Sequence, residues 1–300
     1  MLRMSVDPRL LRGFVAVAEE LHFGRAARRL HMTQPPLSVQ IHRLEDQVGT
    51  RLFVRSRRGV ALTEAGGFLL GHARHLLGET ERVCAEAGRI GRGEAGVLAL
   101  AYTPTATYEL LPALGPAFRR LRPDVRLDMT EMRSGLQPDA IRAGRAEVGF
   151  ACGPIAAPDL AQEVLARERA VVALPARHPL ARRAHVPVRA LAGEPYVQVR
   201  PDIEPVWADA CTAAIAAAGV MLAVSQQTDT KIAMLGLVAA GEGISVVSSS
   251  MMRLGRDGVV FRELRGVAVR LVLVSLAAPR PSPRADVLLR LARRVASSSA

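Results

Sequence analysis

Phe23-Gly24-Arg25-Ala26-Ala27-Arg28-Arg29-Leu30-His31-Met32-Thr33-Gln34-Pro35-Pro36-Leu37-Ser38-Val39-Gln40-Ile41-His42-Arg43-Leu44-Glu45 decides how this chain is read. The stretch predicts two short helices with a tight joint. Arg25 to Leu30 is built from Ala, Arg and Leu, all strong helix formers. Thr33 then has the chemistry of an N-cap, a hydroxyl able to accept from a free N–H of the next turn. Pro35 and Pro36 fit the first turn, where an N–H has no helical partner to lose. Along the second helix Leu37, Ile41, Leu44 and Val48 make one apolar stripe. Pro35, Ser38, Val39 and His42 lie opposite, small and hydrogen-bonding groups that suit the floor of a groove. An isolated helix pair of this kind is more often an ordinary solvent-facing element, so its neighbours decide.

Those neighbours are distinctive. Pro8 to Leu21 predicts a helix whose Leu10, Leu11, Phe14, Val17, Ala18 and Leu21 face inward onto the pair. After it, Leu52-Phe53-Val54-Arg55 and Val60-Ala61-Leu62-Thr63 flank Ser56-Arg57-Arg58-Gly59, a hairpin with a basic tip. The first 65 residues, and the run Thr33-Gln34-Pro35-Pro36-Leu37-Ser38 above all, resemble the winged helix-turn-helix of LysR-type transcriptional regulators. The general layout of that family extends over nearly the whole chain. The resemblance implies that Ser38, Val39 and His42 face base edges of operator DNA, with Pro35 and Arg43 beside them. Thr33 and Gln34, and Arg55, Arg57 and Arg58 in the wing, would hold the backbone or groove edge. One departure stands out. The family commonly has Arg where this chain has Val39, so a cation gives way to a branched apolar group that can meet a thymine methyl.

Composition sets the bounds. At 300 residues the chain is long enough for more than one domain, and 49% hydrophobic content supports globular folding. A net charge of +12 points to a polyanionic partner. Arg carries almost all of the positive charge, and Lys231 is the only lysine. The three cysteines, Cys84, Cys152 and Cys211, are scattered and lack metal-ligand spacing, as expected for reduced thiols in a cytoplasm. No leader with a basic start and an apolar core precedes the first helix, and no apolar run reaches membrane-spanning length. A cytoplasmic protein with no membrane partner is therefore expected.

Glu64 to about Ile90 predicts one long helix. Leu69, Leu76, Val83 and Ile90 recur every seven residues, with Ala73, Thr80 and Ala87 between them, a short heptad seam. It is similar to the family's linker helix, which pairs two subunits. Pairing would present two recognition helices about one helical turn of DNA apart. Gly91 to Gly96 holds three glycines in six residues and reads as a hinge. Beyond it, strands and helices alternate, which argues a mostly parallel sheet with covering helices. Expected strands cover 97–102, 125–131, 148–152, 170–174, 196–199, 222–226, 244–247, 259–264 and 269–276. Expected helices cover 105–121, 136–143, 205–218, 231–240 and 283–295, with 297–300 as a frayed tail.

The fold class is therefore α/β: a mainly α N-terminal winged helix-turn-helix over 1–65, a long linker helix and hinge over 64–92, and an effector-binding domain over 95–300. By resemblance, that last domain folds like a periplasmic binding protein. It has two Rossmann-like subdomains, one of about 95–165 with 267–300 and one of about 166–266. Ligands of open α/β sheets lie beyond the carboxyl ends of the strands. Thr103 and Thr105 follow the first strand, Ser134 the second, and Gln227 and Thr228 a later one, with Gln198 at the end of another. Helix N-termini and hydroxyls there suit a small organic anion such as a carboxylate.

The sequence holds no metal cluster, no GxSxG elbow, no phosphate-binding loop and no evident nucleophile–base pair, so no enzyme and no cofactor is expected. His178, followed by Pro179, reads as a surface turn without an identifiable partner. The leading reading is a LysR-type regulator, a homodimer or homotetramer, that binds double-stranded operator DNA and a small-molecule effector. As an activator it would also meet RNA polymerase. An effector-independent regulator, a solute-binding protein and an enzyme on the same scaffold are the alternatives.

Overall fold

The computed structural model describes residues 6–56, 59–269 and 271–298. It divides into two compact units, the first ending at Arg89 and the second starting at Ile90.

In the first unit, α1 (Pro8–Glu20), α2 (Phe23–Arg29) and α3 (Gln34–Val48) are followed by a hairpin of β1 (Phe53–Ser56) and β2 (Gly59–Leu62). Then comes α4 (Glu64–Gly91). Phe14, Val17, Ala26, Leu37, Ile41, Leu44 and Leu52 fill the core, and Phe53 closes it against Phe14 and Phe23. Asp7 caps α1 by accepting from the Arg9 amide at 2.8 Å. His22 caps α2, its Nδ1 accepting from Gly24 and Arg25. Three expectations are corrected here. Thr33 sits at the N-cap of α3 but makes no side-chain cap bond. Leu21 ends α1 in a left-handed conformation, φ 46°, which turns it out of the core to 47% exposure. Val48, at the end of the α3 stripe, is also exposed.

The entry to α4 is tight. Thr63 Oγ1 accepts from the Gly66 amide and donates to the Arg51 carbonyl, both at 2.9 Å. A Cβ on Gly66 would stand 2.2 Å from the Leu52 carbonyl oxygen, so only glycine fits there. Ala73 is fully buried and Leu69 half-buried in the winged core. Leu76, Val83 and Ile90 continue the row in the open, at 53%, 51% and 44% exposure.

In the second unit, five strands pair in the order β4 (Asp124–Glu131), β3 (Ala95–Tyr102), β5 (Val148–Gly153), β13 (Leu271–Ala277), β6 (Ala161–Glu168). Helices α6 (Leu110–Leu121) and α10 (Pro283–Ser298) cover one face through Leu114, Phe118, Leu288 and Ala292. A second body holds β11 (Ser245–Ser248), β7 (Ala170–Pro175), β12 (Val259–Arg265) and β8 (His185–Pro187) in that order. Beside it β9 (Pro195–Val199) pairs with β10 (Ala223–Thr228). A bridge from Tyr196 to Ile244 joins the two pieces. Helices α8 (Pro205–Ala217) and α9 (Lys231–Ala240) pack on this body. The chain passes between the bodies twice, from β6 into β7 and from β12 into β13, and these two passages run side by side.

The sheets are mixed rather than mostly parallel. β13 runs antiparallel to β5 and β6, and β7 runs antiparallel to β11 and β12. The reason is topological: strands that return from the second body enter from the opposite direction. The expected helix over 105–121 is two helices, α5 (Pro104–Tyr108) and α6, broken at Glu109 with φ −140° and ψ −50°. The expected helix over 136–143 is a 3-10 turn over Ser134–Leu136 followed by α7 (Gln137–Arg142). Ser297 and Ser298 continue α10 instead of fraying. His178 does have a partner, since its Nε2 lies 3.3 Å from Glu194 Oε2 while its Nδ1 accepts from the Leu180 amide. Among the described residues, no helix is long and apolar enough to cross a membrane.

Candidate DNA-reading face and effector cavity

On the first unit, α3 presents Val39 at 66% exposure with Gln34, Pro35, His42 and Arg43 also exposed, and Ser38 half-buried beside them. Thr33 is exposed at the helix start. The same helix is tied to the wing from below. Glu45, only 5% exposed, accepts from the amides of Leu52 at 2.9 Å and Phe53 at 3.3 Å. It also accepts from Arg51 Nη1 at 2.8 Å. Burial pushes the Glu45 carboxyl up, but the two amides and Arg51 outweigh it and hold the group below the usual carboxylate range. His42 Nδ1 stands 3.1 Å from Arg51 Nη1, so this candidate residue is braced from the wing side.

Arg55 lies over the Phe23 ring at 4.2 Å, which fixes the strand on the core and spends the cation on an aromatic face. Arg57 and Arg58 lie outside the described residues. Sequence reasoning missed Glu45 and Arg51. Glu45 read as the end of the signature run, and only its burial reveals the brace.

On the second unit, a cavity of about 550 Å³ opens between the two bodies. Thr103, Thr105 and Ser134 line it, all three buried. Thr103 follows β3 and donates to the Phe150 carbonyl at 3.4 Å, while Ser134 Oγ accepts from the Cys152 amide at 3.0 Å and keeps its own proton free. The other three candidates are placed differently. Gln198 lines an adjoining crevice that shares Val199, Glu204, Trp207 and Lys231 with this cavity. Gln227 is exposed on β10, and Thr228 donates to the Thr230 carbonyl at 3.1 Å. Gln227 and Thr228 pair with Gln198 and Val199 on β9, and the chain meets the cavity wall just beyond them, at Asp229, Thr230 and Lys231.

What does reach it is Lys231. Its Nζ lies 2.8 Å from Glu204 Oε1 and 5.6 Å from the centre of the Tyr108 ring, and its side chain is 12% exposed. Burial pushes the ammonium pKa down, but Glu204 foremost, then Tyr108, push it up by more, and the net direction is upward. Burial raises the Cys152 thiol and the Tyr108 hydroxyl as well, so both are neutral. Arg133 Nη1 donates to the Asp202 carbonyl at 3.3 Å, and Arg253 pairs with Glu109 at 3.1 Å, each across the two bodies. The remaining wall is largely apolar: Met132, Ile203, Trp207, Ile232, Leu254 and Leu271. The signal for Lys231 in the sequence is compositional. It is the only lysine among 40 basic residues. The charged groups on the wall are side chains: Lys231 and Glu204, with Arg133, Glu131 and Asp229.

Comparison with known proteins accounts for both parts. Residues 8–67 match the family described as bacterial regulatory helix-turn-helix protein, lysR family, and residues 91–297 match the LysR substrate binding domain. The chain is 36% identical over 259 residues to the HTH-type transcriptional regulator AlsR of Bacillus subtilis (strain 168), covering 86% of each. It is 38% identical over 269 residues to the HTH-type transcriptional regulator TfdS of Cupriavidus pinatubonensis, covering 89% of this chain and 90% of that one. Full-length CbnR complexed with its target DNA superposes with a TM-score of 0.83 at 27% identity, over 97% of this chain and 99% of that one. With a winged helix-turn-helix at one end and a two-bodied substrate-binding domain at the other, the chain belongs to the LysR family of DNA-binding transcriptional regulators.

Proposed function

We propose that the protein reads operator DNA as a dimer or tetramer and that a small organic acid bound between the two bodies of its second unit alters that reading. It acts by binding rather than catalysis, in the cytoplasm, and as an activator it engages RNA polymerase. Pro35, Ser38, Val39, His42 and Arg43 meet the major groove, Thr33 and Gln34 hold the backbone at the helix start, and Arg55, Arg57 and Arg58 serve the wing. The exposed row of Leu76 and Val83 along α4 supports pairing of subunits through that helix.

The observation that carries the effector reading is Lys231, a mostly buried cation at the wall of a cavity that also offers Thr103, Thr105 and Ser134. A carboxylate fits it. Closure of the two bodies on the ligand shifts a balance between existing states. The test is genome-wide capture of bound DNA, followed by footprinting of the strongest site with and without metabolites of the adjacent operon. An interrupted palindrome whose footprint changes with an acid is the expected result. A footprint that ignores every acid but moves with a neutral or cationic compound overturns the acid. Uniform, steeply salt-dependent binding without a preferred site overturns the reader.

A further inference from the structure

Lys231 is not a free cation waiting for an acid. Its charge is already matched by Glu204 at 2.8 Å, and the two side chains are only 12% and 22% exposed. The other charges of the cavity are occupied or outlying. Arg133 and Glu131 are exposed to solvent, Arg133 donating only to the neutral Asp202 carbonyl, and Asp229 stands 3.5 Å from Arg200. A bare carboxylate that takes Lys231 creates a row of two negative charges around one positive charge. In a mostly buried setting that excess charge is strongly disfavoured. A ligand that brings its own ammonium restores the balance, two positive against two negative, and leaves neither Glu204 nor Lys231 unpaired.

From this geometry we infer that the effector is an amino acid-like zwitterion, its carboxylate on Lys231, its ammonium on Glu204, and its body apolar. The apolar body follows from the rest of the wall, where Ile203, Trp207, Ile232 and Leu271 meet whatever lies beyond the charged end. The buried hydroxyls of Thr103 and Ser134 supply the remaining hydrogen bonds. This inference rests on the acid reading above and adds the second charge.

Titration calorimetry on the full-length protein separates the two. The probes are the apolar proteinogenic amino acids, each in three matched forms: the amino acid, its deaminated acid and its decarboxylated amine. The expected result is that one amino acid binds at least about tenfold more tightly than either of its partial forms. If the deaminated acid binds as well or better, the zwitterion is overturned and the acid reading stands. If the amine binds best, both are overturned; if no form of any probe binds, the zwitterion is overturned and the acid reading is decided by the footprint.

Two variants locate the charges. Glu204→Gln is expected to reverse the preference towards the deaminated acid, and Lys231→Gln towards the amine, each by about tenfold. Circular dichroism confirms that each variant is folded, and either one suffices. An unchanged preference in a folded variant removes that residue from the contact.

Discussion

Glu45 on the recognition helix and Arg51 before the wing are joined at 2.8 Å, and Glu45 also receives the Leu52 and Phe53 amides. One buried carboxylate therefore ties α3 to the start of the hairpin, beside the core packing of Phe53. Glu45→Ala leaves two amides and a guanidinium without their acceptor. The expected loss is about 1.5–3 kcal/mol of stability, together with weakened operator binding. Chemical denaturation and a gel-shift titration check both. Because the folded carboxyl lies below its unfolded value, its contribution is present above the unfolded pKa and is lost as pH falls through the folded one. Wild type should thus lose an increment of stability in the acid range that Glu45→Gln lacks.

Gly66 and Gly67 are neighbours on one helix with opposite expectations. A Cβ on Gly66 meets the Leu52 carbonyl at 2.2 Å, whereas one on Gly67 meets nothing within 4 Å. Gly66→Ala should destabilise by about 1–3 kcal/mol. Gly67→Ala should stabilise by roughly 0.5–1 kcal/mol through helix propensity alone. Thermal melts of the two variants side by side decide the matter.

Val39 is two-thirds exposed on the proposed reading face, an apolar group at a position where a cation could add a phosphate or guanine contact. Val39→Arg should shift the base preference selected from random DNA at one position per half-site. It should also steepen the dependence of log affinity on log salt by up to about 1 if the new charge meets a phosphate. Selection followed by salt titration of wild type and variant reads both effects.

Leu76 and Val83 leave an apolar row on α4 that no other part of the first unit covers among the described residues. Leu76→Glu with Val83→Glu should yield a smaller species in sedimentation velocity, with the fold intact by circular dichroism. A mass unchanged from wild type would place the subunit contact elsewhere.

Lys231→Met should abolish the effector-dependent change in the footprint while basal operator binding persists. It leaves Glu204 without its cation in a half-buried site, so a stability loss of about 1–3 kcal/mol should accompany it. Footprinting with and without the effector checks the first outcome, and a denaturant titration the second.

Much of this architecture is legible before any coordinates. Leu37, Ile41 and Leu44 announce the buried stripe of α3, and Pro35 marks its first turn, because both signals are local. The wing register follows from residue spacing, Phe53 opposite Leu62. The break at Glu109 is masked by the apolar spacing of Leu110, Leu114 and Phe118, and its one local signal is Pro112, which has no N–H to give the Tyr108 carbonyl of a continuous helix. β6 is silent for another reason: Ala161–Glu168 is largely polar and exposed, with little of the alternation of a half-buried strand. The cavity was half legible. Thr103, Thr105 and Ser134 follow strand ends, as the rule for open sheets requires. Lys231 and Glu204 meet across 27 residues of chain, and no local pattern reports such a pairing.

The position of β13 has a consequence for how the protein is made. It lies between β5 and β6, yet residues 271–277 leave the ribosome only after every strand of the second body. Until then, β5 and β6 each present an unpaired edge with no neighbour between them. The nascent chain must therefore carry an open, half-built sheet while the entire second body emerges and has time to fold. A stop codon before Leu271 would leave every strand of the second body in place, yet it would remove the strand that closes the first body, and aggregation should follow.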